Sequence, residues 1–251
     1  MRRRLPTPTA VALAVAATLT PAAAAPAFAA SGDPGAASGA GTAISTPRVP
    51  DVESLHYRWR LGGLVGSLAA IFLPDEGRGL MTIQPSADGE LTTELLITSQ
   101  DSKKGEFWRY GSEIDAGTGY ALDAWSSYKW RNKERDRRDR VTEPRVYDMV
   151  AAIYAIRRRL PQSTEKLRVW SDGKIYPVEV LLRGVEKRQV GGVEVDTVHY
   201  TVQGDKAAEG RYWKGTIELW LARDGAATPV ELHIERSLAA LRLHLTDPPS
   251  S

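Results

Sequence analysis

Leu55, Tyr57, Trp59 and Leu61 alternate with His56, Arg58 and Arg60. This period of two defines a strand with one face on a core and the other in water. The same organisation recurs almost to the end of the chain. Apolar runs at 68–73, 79–83 and 91–98 are divided by the turn sequences Pro74-Asp75-Glu76-Gly77 and Ala87-Asp88-Gly89. Further runs at 167–170, 174–185, 193–202, 213–221, 230–235 and 241–245 are separated by Asp172-Gly173, Gly191-Gly192 and Asp224-Gly225. Gly62, Gly63 and Gly66 mark a bend or bulge after the first strand. Many short strands joined by tight turns predict a mainly β fold built as an antiparallel meander.

One segment departs from that period. Over 144–159, Val146, Met149, Val150, Ile153 and Tyr154 recur at helical spacing. Pro144 suits the first turn, Arg157, Arg158 and Arg159 suit the C-terminal dipole, and Pro161 ends the helix. A single principal helix is therefore expected. Asp148 and Arg157 lie nine residues apart on nearly opposite helix faces, so each is read as complementing the dipole at its own end rather than pairing with the other. Tyr176-Pro177 reads as an edge-strand or bulge position, because proline cannot donate to the ladder.

The 251 residues are 42% hydrophobic and 25% charged, the balance of a globular chain. The absence of cysteine excludes disulfides, thiolate metal sites, a cysteine nucleophile and lipoprotein-type acylation. Residues 1–29 read as a signal peptide. Arg2, Arg3 and Arg4 precede an apolar run over 11–19, and Ala27-Phe28-Ala29 supplies a cleavage signature. The apolar run is too short to span a bilayer. Residues 30–50 read as a flexible Gly/Ala/Ser/Pro linker, 51–247 as one β-rich domain and 248–251 as a tail. The expected location is exported, periplasmic or secreted, without a lipid anchor. Three of the 33 basic residues precede the cleavage signature, which leaves 30 against 31 acidic residues. These totals give no support to a nucleic-acid-binding surface.

Two clusters stand out as candidate sites. Trp108, Tyr110, Trp125, Tyr128 and Trp130 lie in one stretch of a chain that has seven Trp and nine Tyr beside three Phe. Aromatics with a polar end can line a cleft for an amphipathic ligand, and they equally serve ordinary cross-strand packing. The densest charge run follows at 131–140, with Arg135, Arg137 and Arg138 as a candidate rim for anionic groups. Its interspersed acids make a solvated edge strand or loop the alternative reading.

No catalytic constellation emerges. There is no nucleophile elbow, phosphate loop or dinucleotide fingerprint, nothing singles out a carboxylate pair, and no cofactor is implied. His56, His199, His233 and His244 are scattered over predicted strands without a short metal-ligand spacing, and are read as surface or packing residues.

Three blocks carry a resemblance to a known family. They are Asp148-Met149-Val150-Ala151-Ala152-Ile153-Tyr154-Ala155-Ile156-Arg157, then Asp172-Gly173-Lys174-Ile175-Tyr176-Pro177-Val178-Glu179-Val180, then Lys214-Gly215-Thr216-Ile217-Glu218-Leu219-Trp220-Leu221 with Pro229-Val230 following. In order and spacing they resemble the bacterial domain of unknown function 3108 family. With the opening strand and its glycines, the likeness extends over roughly 52–245. Ala151, where a serine is frequent, and Ala222-Arg223 before Asp224, where an acidic pair is usual, depart from it. The resemblance implies an exported envelope protein with a lipoprotein-carrier-like half-barrel, a curved antiparallel sheet partly wrapped around a helix. It implies no established activity.

Two functions follow as expectations. One is a non-catalytic binding module for a lipid or other amphipathic molecule, held by the aromatic cluster. The other is an envelope scaffold that docks a protein partner through its charged run or a sheet edge. Neither calls for nucleic acid or a transmembrane span.

Overall fold

The structure is a computed structural model that describes residues 49, 51–62, 76–86, 89–100, 105–130, 133–208, 212–236 and 239–249. The expected signal peptide, the linker up to residue 48 and the run at 68–73 lie outside the described residues, as do Gly63 and Gly66. The strands are β1 (Glu53–Gly62), β2 (Glu76–Pro85), β3 (Glu90–Ser99), β4 (Phe107–Asp115), β5 (Ala121–Trp130), β6 (Lys133–Arg140) and β7 (Val146–Tyr147). After α1 (Met149–Arg159) come β8 (Glu165–Ser171), β9 (Lys174–Val190), β10 (Val193–Gly204), β11 (Gly215–Ala222), β12 (Pro229–Arg236) and β13 (Ala239–Leu245).

The thirteen strands among the described residues form one sheet in the order β6-β5-β4-β3-β2-β1-β13-β12-β11-β10-β9-β8-β7. The mainly β class, the curved antiparallel sheet and the principal helix are as the sequence predicts. Every neighbouring pair is antiparallel except β7 with β8, where Val146 and Tyr147 pair parallel with Arg168 and Val169. The connection from β6 to β7 forces the curvature. Laid flat, thirteen strands at about 4.8 Å spacing would separate the two edge strands by roughly 58 Å. The link from Arg140 to Val146 spans at most about 21 Å. The sheet must therefore curl until its edges approach, although no backbone ladder joins them.

Side chains close that seam. Arg135 Nη1 lies 2.9 Å from Asp172 Oδ2 in the β8–β9 turn, and Trp170 Nε1 donates to Asp139 Oδ2 at 3.2 Å. Ala124 of β5, Val146 of β7 and Trp170 of β8 form a small buried cluster between the edges.

The interior face holds the core, with Tyr57, Trp59, Met81, Leu95, Ile114, Leu219 and Leu243 almost fully buried. Helix α1 lies within the curl, and every residue from Val150 to Arg157 is buried. The apolar stripe read from the sequence is thus extended to the whole circumference, because sheet surrounds the helix. The helix also starts later than predicted. Pro144 lies ahead of it, and Val146 and Tyr147 are taken by β7. Asp148 is the N-cap, its carboxylate accepting from Ala151 N at 2.6 Å. Leu160, in the left-handed region at φ 42°, ends the helix by donating its N–H to Ile156 O.

Arg157 has a larger role than dipole complement. It is fully buried, and its Nη1 and Nη2 donate to the two Glu53 oxygens of β1 at 2.6 and 2.9 Å. Its Nε also donates to Ala227 O at 3.0 Å in the β11–β12 turn. One side chain thereby ties the helix to two distant parts of the sheet.

Several local readings change. Glu76 and Gly77 open β2 instead of completing a turn. A Cβ on Gly77 would lie 2.5 Å from Trp59 Nε1 and 2.1 Å from Thr98 O, so glycine serves close approach here. The indole of Trp59 crosses β2 and donates to Thr98 O at 2.9 Å. Pro177 sits in β9, an interior strand flanked by β8 and β10. It is tolerated because it lies beyond the last β10 pairing at Val178, where its carbonyl accepts from Asp205 N and no ladder donor is required. Asp172-Gly173 and Gly191-Gly192 are hairpin turns as predicted, with positive φ at both central residues (52° and 78°; 56° and 85°).

Tyr200 is fully buried, and its hydroxyl has no hydrogen-bond partner among the described residues. Replacing it with phenylalanine is expected to stabilise the fold by about 1 kcal/mol, seen as a higher urea midpoint, since a buried polar group without a partner is costly. A loss of stability in Tyr200→Phe would show that the hydroxyl is satisfied.

Candidate functional site

An apolar pocket lies between α1 and the interior face of β8 to β11. Helix α1 contributes Met149, Ala152, Ile153 and Ile156, a stripe at i, i+3, i+4 and i+7. The sheet contributes Val178, Val202 and Ile217, with Trp213 from the segment before β11. Ser171 and Tyr176 supply its few polar groups. The volume is about 30 Å³, room for a couple of water molecules. Only a chain end fits the enclosed space as it stands. Trp213 is held against the sheet by Gly215, where a Cβ would lie 2.5 Å from its ring.

None of the aromatic residues singled out in the sequence lines this pocket. Sheet register separates them. Trp108 and Tyr110 pair with Tyr128 and Ser126, on the interior face with Ser112 and Ile114. Trp108 meets Trp59 edge to face at 6.4 Å. Trp125 pairs with Gly111 and points to the opposite face, where the absence of a side chain at Gly111 lets the indole lie across β4. Arg109 and Arg138 flank it at 5.9 and 5.2 Å from the ring centroid. The side chain of Trp130 lies outside the described residues. Five aromatics close in sequence thus do not form one wall.

Residues 133–140 of the arginine run form the edge strand β6. Each candidate rim residue already has a carboxylate: Arg135 has Asp172, Arg137 has Asp139 at 2.8 Å, and Arg138 has Glu113 at 3.0 Å. These pairs neutralise much of the field that would draw an anion.

The helix start carries the most perturbed carboxyl of the interior. Asp148 is buried, and loss of hydration pushes its pKa up to about 7, against the opposing effect of the Ala151 N–H bond.

The pocket residues were legible only as core. Met149 and Ile153 belong to the stripe seen in the sequence, and the 149, 152, 153, 156 spacing is readable there. Nothing in the sequence shows which strands stand opposite that stripe, or that Trp213 reaches it.

Sheet and helix together define an open, barrel-like β fold plugged by one helix. The beta-barrel-like protein of domain of unknown function DUF1849 from Brucella abortus shares it, with 10% identity over 79% of this chain and 97% of that chain and a TM-score of 0.51. Residues 122–246 match the family model described as "Protein of unknown function (DUF3108)". The matched segment holds all three resembling blocks, and the match begins in β5, later than the likeness read from the sequence. Two mycobacterial structures are also similar in part. Lipoprotein LppX from Mycobacterium tuberculosis has 14% identity over 79% of this chain and 89% of that chain, with a TM-score of 0.30. LprF from Mycobacterium bovis has 12% identity over 80% and 88%, with a TM-score of 0.30. No curated protein matches the sequence. No helix among the described residues is long and apolar enough to cross a membrane.

Proposed function

We propose that this domain is a non-catalytic, exported binding module for a lipid or other amphipathic ligand, whose apolar part enters the pocket between α1 and β8 to β11. The observation that supports this is the lining: a helical stripe of Met149, Ala152, Ile153 and Ile156 faces apolar strand residues, with Ser171 and Tyr176 among the few polar contacts. Binding there needs no catalytic group, only apolar area removed from water. Trp213, within the segment that joins β10 to β11, is the contact proposed for the pocket mouth. Trp108, Tyr110 and Tyr128, on the interior face of the other half of the sheet, are proposed as a further contact zone once α1 shifts. Export is proposed from residues 1–29 and their cleavage signature.

The test is native mass spectrometry of the protein purified from its own envelope fraction, alongside an environment-sensitive apolar dye. The expected result is an added mass that extracts into organic solvent, together with dye uptake. Ala152→Leu, which fills the pocket from a helix-favouring residue, is expected to cut uptake at least about tenfold while leaving the circular dichroism unchanged. A bare mass with no dye uptake, or full uptake by a folded Ala152→Leu variant, overturns the reading and turns the search to protein partners.

A further inference from the structure

The outer face of β12 and β13, away from α1, gathers side chains that the proposed pocket does not use. Glu231 and His244 are direct cross-strand partners, and His233, two residues along β12, projects from the same face. Glu231 Oε1 lies 2.5 Å from His233 Nε2 and 3.5 Å from His244 Nδ1. One donor atom from each of the three residues falls within 4.8 Å of the others.

We propose that Glu231, His233 and His244 form a three-ligand site for a divalent transition-metal ion of the Zn²⁺ type. Donors bound at about 2.0–2.2 Å in a tetrahedral arrangement stand roughly 3.4 Å apart. Glu231 Oε1 and His244 Nδ1 already stand near that spacing, and all three donor atoms lie within 4.8 Å of one another. Two imidazoles and one carboxylate suit Zn²⁺ and its late first-row neighbours, and they do not supply the all-oxygen shell that Ca²⁺ or Mg²⁺ takes.

The surroundings are those of a held ligand set. Glu231 is only 8% exposed. Its second oxygen, Oε2, lies 3.4 Å from Arg188 Nε, and the Arg188 guanidinium lies 4.1 Å from the centroid of the Trp220 ring. The guanidinium stands beside the carboxylate as a charge partner, without a hydrogen bond from its Nε. Arg188 also meets Glu186 at 3.4 Å, which offsets its positive charge near the site. The His233 ring packs against Trp220 at 4.7 Å. The side chain of His244 is 46% exposed, so the fourth position opens to water.

The experiment uses tag-free protein stripped with chelator, titrated calorimetrically with Zn²⁺ and, separately, with Mg²⁺. One equivalent of Zn²⁺ is expected to bind, and Mg²⁺ is expected not to. Zinc X-ray absorption should show two nitrogen donors from imidazole and one carboxylate oxygen. His244→Ala and His233→Ala should each weaken Zn²⁺ binding by more than about 100-fold. His56→Ala, at an exposed position on β1 outside the cluster, should leave it unchanged. If His233→Ala disturbs the fold, the half-exposed His244 decides the matter. Binding below half an equivalent, equal loss in His56→Ala, or wild-type affinity in His244→Ala overturns the site.

Discussion

Arg157→Ala is expected to destabilise the domain by about 3–5 kcal/mol, the cost of breaking a buried ion pair by removing one partner. The guanidinium is completely buried and makes two bonds to Glu53 besides its bond to the Ala227 carbonyl. Its removal leaves a largely buried carboxylate and a turn carbonyl without their donor. Arg157→Lys should recover only part of the loss, because an ammonium cannot reproduce the forked geometry. The double variant Arg157→Met with Glu53→Leu should lie well above the single alanine variant, since an apolar pair leaves no uncompensated charge. Urea denaturation of the four proteins measures these differences. A loss below about 1 kcal/mol in Arg157→Ala would show that the pair is solvated and does not anchor the helix.

Asp148 gives the second large effect, through pH. Its carboxyl has a pKa near 7 in the fold against an ordinary value of 3.8, because burial outweighs the Ala151 N–H bond. A raised acid pKa means that, between about pH 4 and 7, the folded state holds a proton that the unfolded chain has released. Stability from this group is therefore fully present below about pH 4. It falls as pH rises by up to about 1.4 kcal/mol per unit and levels off above about pH 7. The total is on the order of 4 kcal/mol.

Asp148→Asn keeps a side-chain oxygen to cap the helix but does not ionise. It should match the wild type near pH 4 and become clearly more stable by pH 8. Other titrating groups are common to both proteins, so the difference between their urea midpoints from pH 4 to 9 isolates Asp148. Parallel curves would place its carboxyl in contact with water.

Both effects lie in one eleven-residue helix and its N-cap, and they show what was readable. The helix was visible because its apolar residues repeat at 3.6 in a chain that otherwise repeats at two. Asp148 was visible near its start as a complement to the dipole, which is a local effect, whereas its role as the cap depended on where the helix begins. The end-on reading of Arg157 was incomplete, since Glu53 lies 104 residues away and no local pattern points to it. The turns at Asp172-Gly173 and Gly191-Gly192 were legible for a similar local reason, because both require positive φ. Glu76-Gly77 misled for the converse reason. Glycine marks any place without room for a side chain, and here that place is a strand under Trp59 rather than a turn.

The candidate sites divide along the same line. The cluster of Trp108, Tyr110, Trp125, Tyr128 and Trp130 is a fact of sequence, but a strand sends alternate residues to opposite faces. Cross-strand pairing puts Trp125 on the outer face while Trp108 and Tyr128 face inward. The histidines look scattered in the sequence, and it is the β12–β13 register that brings His244 beside Glu231 and His233.

By itself the sequence determined the local content of the fold: period-two strands, hairpin turns, one principal helix, and a charge run suited to a sheet edge. These depend on neighbours within a few residues. Tertiary structure alone decided how the sheet curls until Arg135 meets Asp172, which strands face the helical stripe at Met149 and Ile153, and which carboxylate receives Arg157. Those outcomes depend on contacts between residues far apart in the chain, and such contacts exist only after every register has been set.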